Sequence, residues 1–351
     1  MTPLLPLLKE LSEAFGVSGA EDGARQAILC HIRDHADDLK TDALGNVIAL
    51  RRGTGERQLR VMVAAHMNEV GFMVTGHDND GLLKFAPVGG VLPNVMPGTR
   101  VVVGPKKAPG VIGMVPIHLT GGSPSFGKVV ETTALRIDIG VSSKDAAKRK
   151  APLGAYATFD TPFVELGPTA RGKAFDDRAG CAVLIDLFTG DPFPFDLYAA
   201  FTVQEEVGLR GAQVAAHAIA PDVAFALEGT VCNDLPQEPD EDRSPITRLG
   251  HGPAISVMDR TLIADRRLVD HLVAAAKAHG IPYQIKSPGP GGTDAGAIHL
   301  AQAGVPSVVV SVPCRYIHSP ASIIHLQDVE NTARLMRQAL LSLDSSVLNR
   351  Q

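Results

Sequence analysis

The sequence predicts an α/β fold: a mostly parallel sheet with helices on both faces, interrupted by a β-rich inserted domain. Apolar runs of strand length at residues 59–65, 197–203, 223–227 and 307–312 read as strands buried on both faces. Helical patterns at 177–187, 211–218, 267–279, 294–303 and 328–343 alternate with them along the second half of the chain. From about residue 69 to 163 the alternation gives way to strand-and-turn signals.

The elements follow in chain order. Leu4, Leu5, Leu8 and Leu11 share one helical face. The run at 59–65 stops at His66. Residues 70–74 and 82–86 flank the turn residues Asp78-Asn79-Asp80-Gly81 as a hairpin. Leu135, Ile137, Ile139 and Val141 alternate with Arg136 and Asp138 as a half-buried strand, and a short helix is expected near 144–150. After Gly167 the βα alternation returns. The chain therefore divides into an α/β domain of residues 1–68 and 164–351 and a β-rich insertion of residues 69–163.

A chain of 351 residues has room for one large domain and a smaller second one. Its 45% hydrophobic and 20% charged content suits a globular enzyme. A net charge of −5 leaves no basic excess, which argues against nucleic acid and anionic membranes as partners. The opening stretch lacks the basic region of a signal peptide, and no apolar run reaches the roughly 18 residues of a membrane span. Cys30, Cys181, Cys232 and Cys314 form no Cys-x-x-Cys pair, so free thiols in a reducing cytoplasm are expected.

The chemistry gathers at strand ends. Glu205 and Glu206 close the run at 197–203, and in open α/β sheets ligands sit outside the carboxyl ends of strands. Two adjacent carboxylates repel each other there. A metal ion on one, with the other left free as a base, satisfies both. His66, Asp176, Asp177, Glu228 and His318 fall at comparable places, so all can converge on one rim of a parallel sheet. Two ions sharing one carboxylate, each with a further His and carboxylate, would have three protein ligands apiece and room for water. One carboxylate remains to take the proton.

The strings around His66, Gly172-Lys173-Ala174-Phe175-Asp176-Asp177-Arg178, Gln204–Gly208, Gly291-Gly292-Thr293-Asp294-Ala295-Gly296 and Arg315-Tyr316-Ile317-His318-Ser319 resemble the tetrahedral aminopeptidases of peptidase family M42, which are co-catalytic dinuclear zinc exopeptidases. The resemblance covers nearly the whole chain. It implies Asp176 as the bridging ligand, His66 and Glu228 on one ion, Glu206 and His318 on the other, and Glu205 as general base. It implies two divalent metal ions, zinc or cobalt, and peptide substrates cleaved at the amino end. It further implies a homo-oligomer built from dimers through the insertion, up to a dodecamer, and a cis peptide bond after Asp176.

This chain departs from the family where Glu228 replaces a frequent Asp, and where Asn68 stands in place of an Asp that would orient His66. The loss of that charge predicts a loosely held ion at His66. Asp177 reads as a helix cap, Asp294 as a cap or pocket residue, and Cys314 as a packing thiol. Two other functions fit parts of the pattern. A glycoside hydrolase would use two carboxylates but leaves His66 and His318 unexplained. A metal-binding assembly protein with weakened catalysis would have no need of Glu205.

Overall fold

The computed structural model describes residues 4–55, 59–120, 129–236, 244–289 and 291–349. The parallel strands Asp196–Thr202, Arg60–His66, Val223–Val231 and Ser307–Arg315 form the centre of an 11-stranded sheet. Side chains along Arg60–His66 alternate between the faces, as a pleated strand requires. Val61, Val63 and Ala65 enter one apolar cluster with helices Leu4–Glu13, Phe175–Thr189 and Leu326–Ser342. Met62 and Ala64 enter another with helices Arg210–Ile219 and Asp294–Ile298. Helices thus cover both faces.

The sheet is mixed rather than mostly parallel. Val47–Arg51 runs antiparallel to Asp196–Thr202, and Asp38–Thr41 pairs antiparallel with it in turn. On the other flank Ser322–His325, Thr169–Gly172 and Val164–Leu166 are all antiparallel to their neighbours. Several of these pairs are joined by short turns, and a short turn can return the chain only in the opposite direction. Asp38–Thr41 and Val164–Leu166 are short and largely exposed, so neither shows the apolar run of a buried strand.

Between Gly71 and Phe159 six antiparallel strands close into a barrel. Phe72 packs edge-on against Phe85 and Phe159 at 5.2 and 5.4 Å in its interior. Leu135, Ile137 and Ile139 point into the same core, although the strand itself is only Arg136–Asp138. The short helix is present as Lys144–Lys150, capped by Ser143. The helix expected over 294–303 stops at Ile298.

One buried carboxylate ties the two bodies together. Glu69 accepts from Gly16 N at 3.1 Å, from Thr158 Oγ1 on the last barrel strand at 2.8 Å, and from Lys173 Nζ at 2.7 Å. Among the described residues no helix is long and apolar enough to cross a membrane.

Candidate metal centre

His66 ends its strand and lies beside Thr202 in the neighbouring parallel strand. On the other side the register pairs Ala226 with Ala64, so two residues on Glu228 comes level with His66. Glu228 does not end its strand, which continues to Val231 against Ser307–Arg315. Glu205 and Glu206 occupy a single 3₁₀ turn after Asp196–Thr202. His318 sits in the loop between Ser307–Arg315 and Ser322–His325. Ala174, Gln204, Tyr316 and His318 all take left-handed backbone angles without being glycine. Such residues collect where a fold must aim functional groups.

Asp176 stands at the middle. Its Oδ1 is 3.1 Å from His66 Nε2 and its Oδ2 is 3.3 Å from His318 Nε2. Glu228 Oε2 lies 3.4 Å from His66 Nε2, and Glu206 Oε1 lies 3.1 Å from His318 Nε2. Two ligand groups result, His66–Asp176–Glu228 and Asp176–Glu206–His318, sharing one carboxylate. A third grouping, His66–Glu205–Glu206, is also close enough to hold an ion. Glu205 is farther from His66, at 3.9 Å. The six residues to which the resemblance assigns roles therefore meet in one cluster. The peptide bond between Asp176 and Asp177 is cis.

Each imidazole is set by a backbone carbonyl. His66 Nδ1 faces the carbonyl oxygen of Asn68 at 3.1 Å, and His318 Nδ1 faces that of Gly90 at 3.0 Å. A carbonyl only accepts, so Nδ1 must carry the hydrogen and Nε2 is left facing the carboxylates. This corrects the expectation for Asn68. Its side chain does not touch His66: Oδ1 accepts from Glu205 N at 3.0 Å and Nδ2 donates to Ser18 Oγ at 2.9 Å. Neither carbonyl could have been found from side-chain identity, because every residue has one.

The electrostatics call for a cation. Burial pushes the Glu205 carboxyl well above the ordinary range; His66 opposes this, and Glu228, Asp294 and Glu206 add to it. Glu228 is raised to about 7, chiefly by burial. His318, only partly buried, is raised to about 11 by Asp176 and Glu206, against the opposing effect of desolvation. Glu206 Oε1 is buried and, apart from the His318 Nε2 that faces it, has no polar partner, which suits an oxygen that would face an ion. The donor set of imidazole and carboxylate fits a divalent transition metal.

Around this cluster, Asp177 caps the regular part of its helix by accepting from Gly180 N at 2.9 Å, and its other oxygen accepts from His66 N at 3.2 Å. Asp294 does neither job proposed for it. It is buried behind Glu228, to which its backbone N donates at 3.1 Å, and it accepts from the Thr202 hydroxyl. Cys314 is buried and its thiol pKa is pushed up by burial, as befits a packing residue.

Comparison with known proteins agrees with this geometry. The profile of the M42 glutamyl aminopeptidases matches residues 45–335. The lysyl aminopeptidase of Pyrococcus furiosus is 34% identical over 96% of each chain. A TET aminopeptidase from a marine sediment thaumarchaeote superposes with a TM-score of 0.92 at 37% identity, covering 98% of both chains. The Pyrococcus horikoshii TET1 peptidase, described as assembling into a tetrahedron or a large octahedral shell, gives 0.86 at 34% identity over 97% of this chain and all of the other. A Thermotoga maritima structure described as an endoglucanase gives 0.79 at 41% identity, covering 95% and 96%. Fold and site together define a metal-dependent peptidase. The chain belongs to the M42 aminopeptidase family.

Proposed function

We propose that this chain removes N-terminal residues from peptides at a centre of two divalent ions, zinc or cobalt. His66 and Glu228 would hold one, Glu206 and His318 the other, with Asp176 between them and Glu205 as general base. The observation that carries this reading is the division of Asp176, whose two oxygens face two different histidines. Bound there, the ions would polarise the scissile carbonyl and lower the pKa of the attacking water.

The chain's own residues do the rest. Glu205 is anchored through its backbone by Asn68, stands farther from His66 than Asp176 and Glu228 do, and has its proton affinity raised. It takes the proton from the attacking water and returns it to the leaving amine. A glycosidase built on two carboxylates would leave both oriented imidazoles without a role.

The barrel is the proposed self-association domain, and assembly from dimers up to twelve chains follows the habit of the family. Four unpaired cysteines favour a cytoplasmic setting. Elemental analysis after metal loading should find about two ions per chain, as a dinuclear site requires. A chelator should abolish release from aminoacyl substrates until metal is restored. Saturation at one ion, or release that survives the chelator, would overturn the assignment.

A further inference from the structure

The turn that carries Glu205 and Glu206 is held from behind. Three consecutive backbone N–H groups there donate to side chains from three separate segments. Val203 N donates to Asn46 Oδ1 at 3.0 Å, Gln204 N to Glu21 Oε1 at 3.3 Å, and Glu205 N to Asn68 Oδ1 at 3.0 Å. Asn46 precedes strand Val47–Arg51, Glu21 precedes helix Asp22–Ile32, and Asn68 follows strand Arg60–His66. All three acceptors are buried, and Glu21 is only 3% exposed.

The acceptors are themselves pinned. Asn46 Nδ2 donates to Asp42 Oδ2 at 2.7 Å and to the Gly211 carbonyl at 3.0 Å. Glu21 Oε1 also accepts from Gly19 N at 2.7 Å. Burial raises the Glu21 pKa, while backbone N–H groups, those of Gly19 and Gln204 among them, oppose the shift. Among the described residues neither Asn46 nor Glu21 hydrogen-bonds to a side chain of the two ligand groups.

A carboxylate is costly to bury, so what its oxygen holds matters. Gln204, between strand and turn, sits at φ 55° and ψ 32°. A residue with a Cβ keeps such left-handed angles only where its surroundings impose them. The next two side chains point to different groups: Glu205 Oε2 lies 3.9 Å from His66 Nε2, and Glu206 Oε1 lies 3.1 Å from His318 Nε2. A twist at Gln204 would misdirect both. We infer that Glu21 is a positioning residue that aims the general base, by fixing Gln204 between the amides that Asn46 and Asn68 fix. The inference rests on the role of Glu205 in the aminopeptidase reading and deepens it.

The test compares wild type, Glu21→Met, Glu21→Asp and Glu21→Gln as full chains at saturating metal, on an aminoacyl p-nitroanilide that the wild type cleaves. Met keeps the length and removes the acceptor. Asp keeps the charge but draws the oxygen back from Gln204 N, and it carries the test if Glu21→Met does not fold. Gln keeps an acceptor oxygen in place without the charge. Met and Asp should lower kcat on the order of 10- to 100-fold with KM little changed, and Gln should restore most of it. A purely structural glutamate would lower stability and leave kcat of the folded fraction as it was.

Amide hydrogen exchange over residues 203–206 reads the turn without turnover. Loss of the Glu21 acceptor should speed exchange there about tenfold while the central strands stay protected. Faster exchange in Glu21→Met or Glu21→Asp and not in Glu21→Gln, with no aminoacyl substrate cleaved by the wild type, would keep the positioning of the turn and sink the aminopeptidase reading. Turnover with kcat unmoved by Met and Asp, or exchange at 203–206 unchanged in both, would overturn the inference and leave the reading standing.

Discussion

Replacing Asn68 separates two jobs that its position invites one to merge. In Asn68→Ala the backbone carbonyl that faces His66 Nδ1 stays, so the tautomer and the aim of Nε2 stay. What goes is the acceptor for Glu205 N and the donor to Ser18 Oγ, in a residue with no exposure. Each group left unsatisfied costs about 1–3 kcal/mol, so the fold should lose roughly 2–6 kcal/mol. Metal affinity on the His66 side should change by less than about tenfold, below the 10–100-fold typical of losing a partner that orients a ligand. Asn68→Asp should also stay within about tenfold, since its carboxylate can still accept from Glu205 N while adding charge behind the site. Guanidinium unfolding of the apo protein reads the first effect and a metal titration reads the second. A loss of affinity of a hundredfold with stability intact would show that the side chain, not the carbonyl, orients His66.

Two further outcomes are expected. Glu205→Gln should lower kcat by about 10²–10⁴-fold with both ions retained, because it removes only the proton acceptor; loss of metal by elemental analysis would make Glu205 a ligand instead. Asp234 receives two hydrogen bonds from Arg315, at 2.6 and 2.9 Å, which overcome its burial and hold its carboxyl at about 2. Its folded pKa lies below the unfolded value of about 3.9, so its contribution to stability is complete above that value and fades as pH falls towards about 2. The stability gap between wild type and Asp234→Asn in urea should therefore narrow on acidification from pH 5 to 2.5. A gap independent of pH would refute it.

The central strands and the residues of the candidate metal centre were legible because of one physical habit. Strands covered on both faces are apolar until they reach the rim, so the first acid or histidine after the run marks the rim. His66, Glu205 and Glu206 stand out in this way. Glu228 was found for a partly wrong reason: its strand runs past it, and register rather than strand end brings it level with His66. The outermost antiparallel strands escaped because Asp38–Thr41 and Val164–Leu166 face solvent and carry no apolar run. The role of position 68 was misjudged because a sequence names side chains and not the carbonyls between them.

The carbonyl of Gly90 belongs to the inserted segment, whereas His318, which it orients, sits in a loop between two strands of the large sheet. The two ligand groups therefore differ in what they depend on. The His66 half finds its carbonyl two residues away on its own strand connection, and is complete once the central sheet has formed. The His318 half finds its carbonyl only on the inserted segment. A shift of the barrel would move the carbonyl that faces His318 Nδ1 and leave the one that faces His66 Nδ1 in place.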